Sequence, residues 1–174
     1  MESGRYISEE GAKNLRCYQY RGCDSSLLLK YITNPIYNRI VLSFPIWLAP
    51  NLITLAGLLC SIASYFIMMY YCPLLDGPAP RWTYIVQAIA LMSYQALDAM
   101  DGKQARRTGT SSALGMLFDH GCDALNTTVS SLALCACFQL GAGWISYTFW
   151  IAATFVFYWA TIEEFYTGEV LFIQ

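Results

Sequence analysis

The stretch "LDAMDGKQARRTGTSSALGMLFDHGCDALN", residues 97–126, decides how this chain is read. Between positions 98 and 123 it holds four aspartates, three basic residues and the only histidine. Asp98 and Asp101 are three apart, and Asp119 and Asp123 are four apart, so each pair shares one face of a helix. A hairpin through "GKQARRTGTSSALG" (102–115) would turn the two faces toward each other.

Outside this stretch the composition is that of material that dissolves in lipid. Of 174 residues, 56% are apolar and only 13% charged, and no charge occurs in 40–75, 82–97 or 124–162. A helical crossing of a bilayer takes about 20 mainly apolar residues. The expected fold class is therefore all-α: a polytopic membrane helical bundle of about four transmembrane helices preceded by an interfacial amphipathic helix. The spans are placed at 50–71, 82–101, from 114 to the turn at "QLGAG" (139–143), and 144–165. Pro50 suits an opening helical turn, and the glycines of "QLGAG" suit a short connection. The interfacial helix is read from "SLLLKYITNPIYNRIVLSFPIWL" (26–48), where Lys30, Arg39 and prolines interrupt the apolar residues. Two segments result: 1–48, cytosolic and interfacial, and 49–174, the transmembrane domain.

The distribution of charge says more than its net value of −2. Arg5, Lys13, Arg16, Arg21, Lys30 and Arg39 precede the first span, and Lys103, Arg106 and Arg107 follow the second. The positive-inside bias places both groups on the cytosolic side and the proline-rich connector "CPLLDGPAPRW" (72–82) opposite. The first 26 residues are polar and lack the apolar core of a cleavable signal peptide. A nucleic-acid partner is not expected. The seven cysteines form no CxxC pair and read as apolar filler rather than a disulfide framework. Trp47, Tyr70, Tyr71 and Trp82 fall at span ends, as an aromatic belt would have them. The other aromatics read as span packing, Ser130 and Ser131 as groups bonded within or between helices, and Arg107 as a solvated determinant of topology.

A carboxylate inside a membrane helix costs on the order of 2.5–3.5 kcal/mol, so four imply roughly 10–14 kcal/mol before compensation. Lys103, Arg106 and Arg107 can reach water by themselves, which leaves the carboxylates wanting another partner. Converging carboxylates with oxygen-only ligands suit magnesium, manganese or calcium. Two divalent ions would neutralise four carboxylates and keep coordination positions open for phosphate oxygens. Gly102 and Gly115, without side chains, let a ligand approach the backbone, and Ala105 does nearly the same.

The spacing D-x2-D-G-x2-A-R-x8-G-x3-D-x3-D is matched in full by Asp98, Asp101, Gly102, Ala105, Arg106, Gly115, Asp119 and Asp123. It resembles the CDP-alcohol phosphotransferase motif. "DGKQARRT", "LFDHGCD", "WLAPNLIT" and the N-terminal "YQYRGCDSSLL" are similar to the eukaryotic choline/ethanolamine phosphotransferase branch of that family. The resemblance implies transfer of phosphoethanolamine or phosphocholine from CDP-ethanolamine or CDP-choline to diacylglycerol, giving phosphatidylethanolamine or phosphatidylcholine and CMP. It implies that Asp98, Asp101, Asp119 and Asp123 bind two ions, Mg2+ or Mn2+, and that Gly102, Ala105, Arg106 and Gly115 line the nucleotide side, with Asn51 approaching from the first span. It implies a multi-pass protein of the endoplasmic reticulum or Golgi membrane with its active site facing the cytosol, with a homodimer as a candidate assembly. The N-terminus and the ending "YTGEVLF" lean slightly toward the ethanolamine donor, on resemblance alone.

The acceptor hydroxyl needs a base. An unperturbed imidazole titrates near about pH 6.5, which favours His120, between two ligand aspartates; Asp123 is the alternative. Two departures from the family pattern stand out. Met116 replaces the glutamate of "LGELFDHG", one helical turn before His120, and the chain stops after four spans where relatives have about ten, so a truncated form is expected. The alternative function is accordingly a catalytically inactive isoform acting as a membrane interaction partner. A prenyltransferase would also use aspartate-bound magnesium, but it keeps its acidic motifs on distant helix pairs, and the short interval from Asp101 to Asp119 speaks against it.

Overall fold

A computed structural model of the chain describes residues 29–167 continuously, with residues 8, 11, 22–23, 27 and 170–171. Most of the N-terminal basic segment and of "YQYRGCDSSLL" lies outside the described residues, as do Cys17 and the side chain of Cys23. Helix dominates: α1 is Asn34–Leu42, α2 Pro50–Tyr71, α3 Arg81–Thr108, α4 Ala113–Cys137 and α5 Trp144–Thr167. A π-helical turn, Leu29–Thr33, leads into α1, and Pro35 at its start supplies no N–H where none has a helical partner. The other regular pairing among the described residues is a two-residue parallel contact of Gly22–Cys23 with Val170–Leu171.

The four long helices occupy the four expected spans. Two of them, Pro50–Tyr71 and Trp144–Glu163, are long and apolar enough to cross a membrane by length and composition. The other two carry the acidic stretch. α2 opens on Pro50 after an extended Ala49, as its sequence suggested. The second span had been expected to stop at residue 101, with a hairpin through 102–115. Instead α3 runs unbroken to Thr108, because Lys, Gln, Ala and Arg are strong helix formers. It ends where Gly109 takes a left-handed φ of 67°. There the Thr110 N–H reaches the Ala105 carbonyl at 3.0 Å and the Gly109 N–H reaches Arg106 at 3.4 Å, the paired bonds of a Schellman stop. Ser112 then accepts from the Gly115 N–H at 3.1 Å and opens α4. At the far end of α4 the left-handed position falls on Gln139 (φ 55°) as well as on Gly141 (φ 74°), so the turn there is not made by its glycines alone.

α2 is the common packing partner: α3 and α4 each lie along it while touching each other little, and α5 packs on α4. Gly57 lets α3 come close. A Cβ there would sit 3.3 Å from Tyr94 Cδ2 and 3.4 Å from Leu97 Cβ. Tyr94, Leu58 and Cys122 form one buried cluster between the three helices, and Met68, Cys72 and Ala136 form another at the opposite end. Ser130 and Ser131 bond within α4, to Asn126 Oδ1 and the Thr128 carbonyl. The outward side of α5 is apolar and open, with Trp144, Phe155 and Trp159 all exposed.

Candidate functional site

α3 and α4 diverge enough to leave a gap, and the acidic faces meet across it. Ligand oxygens of Asp98, Asp119 and Asp123 all lie within 4.8 Å of one another. Asp119 is also in electrostatic contact with Asp101, so all four aspartates gather in one place. Above them opens a cavity of about 890 Å3. Asp98, Asp101, Asp119 and His120 line it, together with Asn51, Gly102, Ala105, Arg106 and Gly115. Asp123 is not among the cavity-lining residues but belongs to the same carboxylate cluster. Nine of the ten residues singled out from the sequence thus surround one cavity, and the tenth, Asp123, adjoins two of them, Asp98 and Asp119. Asn51 approaches Gly115 closely, since a Cβ at Gly115 would lie 3.7 Å from Asn51 Oδ1. Met116 is on the cavity wall too.

The segment 102–107 divides its labour by helical face. Gly102, Ala105 and Arg106 face the cavity. Lys103, Gln104 and Arg107 face the other way and hold α1 and the loop 43–49. Lys103 Nζ donates to Asn34 Oδ1 at 2.7 Å and to Asn38 Oδ1 at 2.8 Å. Gln104, fully buried, donates from Nε2 to the carbonyls of Pro45 at 3.0 Å and Leu48 at 3.2 Å. Arg107 donates to the carbonyls of Val41 and Phe44, each at 2.7 Å. Arg107 is exposed, as a solvated charge would be, and in addition its bonds tie α3 to the last turn of α1 and to the loop that follows it. Because Ile46, Trp47 and Leu48 line the cavity, Gln104 and Arg107 hold the loop that forms one of its walls.

Two further residues were not singled out from the sequence. Tyr94 donates its phenol hydrogen to Asp123 Oδ1 at 2.8 Å, and Thr54 of α2 donates to Asp101 Oδ2. Tyr94 reads in sequence as one aromatic among many, and Thr54 as helix filler. What marks Thr54 is its position four after Pro50 in "APNLIT", on the helix that also carries Asn51.

The donor set is oxygen only, three carboxylates converge, and Asp98 Oδ1 is buried without a hydrogen-bond partner among the described residues. Those features fit a hard divalent cation, which takes oxygen ligands and offsets the cost of a buried carboxylate. Lys103 and Arg107 are committed elsewhere.

Comparison with known proteins agrees with this geometry. Residues 47–167 match the CDP-alcohol phosphatidyltransferase family. A CDP-alcohol phosphatidyltransferase class-I family protein of Dictyostelium discoideum is 45% identical over 164 residues, 94% of this chain and 40% of that one. Choline/ethanolaminephosphotransferase 1 of Arabidopsis thaliana is 42% identical over 166 residues, 95% of this chain and 42% of its own. Cholinephosphotransferase 1 of Saccharomyces cerevisiae is 39% identical over 167 residues, 96% and 42% respectively. The fold and site define an α-helical membrane protein with a clustered-aspartate cavity. The chain belongs to the CDP-alcohol phosphatidyltransferase family. It spans about two-fifths of the length of the curated relatives it matches.

Proposed function

We propose that this chain carries the donor site of an aminoalcohol phosphotransferase, which moves phosphoethanolamine or phosphocholine from CDP-ethanolamine or CDP-choline to diacylglycerol. The observation that carries the reading is the meeting of aspartates from α3 and α4 at the floor of one cavity. The names of the relatives point the same way.

In this reading Asp98, Asp101, Asp119 and Asp123 hold two ions, Mg2+ or Mn2+. Such a pair, when bound, neutralises charge on the diphosphate and stabilises the attacking and leaving oxygens of an in-line displacement. The protein's own residues do the positioning on which phosphoryl transfer chiefly rests. Gly102, Ala105 and Gly115 leave room for the donor's phosphates against the helix backbones. Arg106, on the cavity wall, offers a charged fork to a phosphate oxygen. The acceptor hydroxyl attacks the phosphorus that bears the aminoalcohol, the bond to the CMP oxygen breaks, and CMP leaves with the electron pair. His120 takes the hydroxyl proton at a ring nitrogen. Asp123 is the less suitable base, because Tyr94 and the neighbouring carboxyls already engage it.

The donor is water-soluble and the acceptor is a lipid, so the cavity belongs at a membrane surface. The positive-inside bias of Lys103, Arg106 and Arg107 supports a cytosolic side for that surface, and the reading takes the membrane to be that of the endoplasmic reticulum or Golgi. Residues 1–48 form the segment ahead of the transmembrane domain at 49–174, and α1 rests along the interface. Met116 favours a second reading, a chain that binds donor without turning it over, because a thioether one turn from His120 cannot share its proton.

The test is an assay of microsomes from cells that lack the activity and express this chain, with each CDP-aminoalcohol supplied in turn. Product formation that disappears in Asp123→Asn supports transfer at this site. Donor binding without product supports the second reading, and product that survives Asp123→Asn contradicts the first.

A further inference from the structure

We infer that Tyr94 and Thr54 are positioning residues for the metal-binding carboxylates, a role that rests on the metal reading given above. Two of the four aspartates lean on hydroxyl groups from neighbouring helices. Asp123 of α4 accepts from Tyr94 of α3, and Asp101 of α3 accepts from Thr54 of α2. Each bond engages one carboxylate oxygen, on Asp123 within the converging trio and on Asp101 beside Asp119. Each also crosses between helices, so the carboxylate's direction is set by packing and not only by its own rotamer.

Both hydroxyls are held where they cannot drift. Tyr94 is 3% exposed and Thr54 1%. The Tyr94 ring lies in the closest approach of α2 and α3, against Gly57, and packs with Leu58 and Cys122. Thr54 reaches back to the Pro50 carbonyl at 3.4 Å as well as to Asp101. A phenol serving only as packing would not need its oxygen aimed at an acid 29 positions away in sequence. Ligand carboxylates are commonly oriented by such outer hydrogen bonds, and removing one typically lowers metal affinity about 10–100-fold.

The experiment is Mn2+ titration of the full chain in lipid nanodiscs, followed by electron paramagnetic resonance, which needs no turnover. Wild type, Asp119→Asn, Tyr94→Phe, Thr54→Val and Thr54→Ser are compared, each with its metal-free unfolding midpoint. The inference expects Tyr94→Phe and Thr54→Val to weaken Mn2+ binding about tenfold or more, with Thr54→Ser restoring it and the metal-free midpoints close to wild type. If wild type binds Mn2+ and Asp119→Asn does not, yet Tyr94→Phe and Thr54→Val bind as wild type, the positioning role is wrong and the metal site stands. If wild type binds no Mn2+, the metal reading falls and the positioning role with it. Should Tyr94→Phe fail to fold, the Val and Ser variants at Thr54 decide: equal affinity in both overturns the role.

Discussion

Asp123 accepts from the Tyr94 phenol and shares its site with the carboxyls of Asp98 and Asp119. His120, one position after Asp119, lines the cavity that those carboxyls floor. A general base contributes typically about 10^2–10^4 in rate. His120→Gln should lower kcat by that order while leaving Mn2+ affinity within about threefold of wild type, since the imidazole is not among the clustered ligands; equal loss of both would make it a ligand or a structural group. Met116 lies on the same wall, one turn earlier. Restoring an acid there, Met116→Glu, should raise kcat with little change in the donor's KM, measured by the microsomal assay. An unchanged kcat would show that the missing glutamate is not what limits this chain. The four aspartates, Arg106 and His120 were legible because charged and titratable residues are rare in a lipid-like sequence, and Gly102, Ala105 and Gly115 only through their spacing from them. Tyr94 and Thr54 were not, since tyrosine and threonine are ordinary in membrane helices and only a contact between helices distinguishes these two.

Helical segments owe their bounds to local chemistry that is easy to read and their partners to contacts that are not. Charge-free runs and Pro50 marked the long helices, yet α3 extends beyond its expected end because "GKQARR" propagates helix until Gly109 can close it. That extension gives the segment two working faces, one toward the cavity and one toward α1. Nothing in the spelling of Lys103, Gln104 or Arg107 reveals that their partners are asparagines and carbonyls some 60 positions earlier. Gln104→Leu would leave the Pro45 and Leu48 carbonyls without their buried donor, at about 1–3 kcal/mol. Its unfolding midpoint in detergent should fall, and protease cleavage between residues 43 and 49 should speed up; an unchanged loop would mean that Arg107 alone holds it. Gly57→Leu should be more damaging. Its Cβ already meets Tyr94 and Leu97 at 3.3–3.4 Å, and overpacking of this kind costs about 1–3 kcal/mol. Because it pushes α3 off α2, it should weaken Mn2+ binding as well as stability, which a mere packing defect far from the site would not do.

Across the whole molecule, α2 is the element whose importance the sequence concealed. It carries no aspartate, and apart from Asn51 its plain apolar spelling suggested a crossing, but α3 and α4 both pack along it. The gap this leaves between α3 and α4 is what becomes the cavity. α5 completes the group from the far side of α4 and presents an apolar surface outward, as a lipid-facing helix does without penalty. The arrangement keeps the acidic cluster at one end of the bundle and a buried apolar cluster at the other. Such an organisation suits a protein that meets a soluble nucleotide at one membrane face and a lipid from the side.

The central claim is that acidic groups of α3 and α4 jointly grip divalent ions. An anomalous difference map from crystals grown with Mn2+ and CDP-ethanolamine tests it most directly. The account predicts two manganese peaks between the two helices, each bonded to oxygens from both, with the donor's diphosphate completing their shells. Peaks confined to one helix or to the protein surface, or none beside Asp98, Asp119 and Asp123, would contradict it.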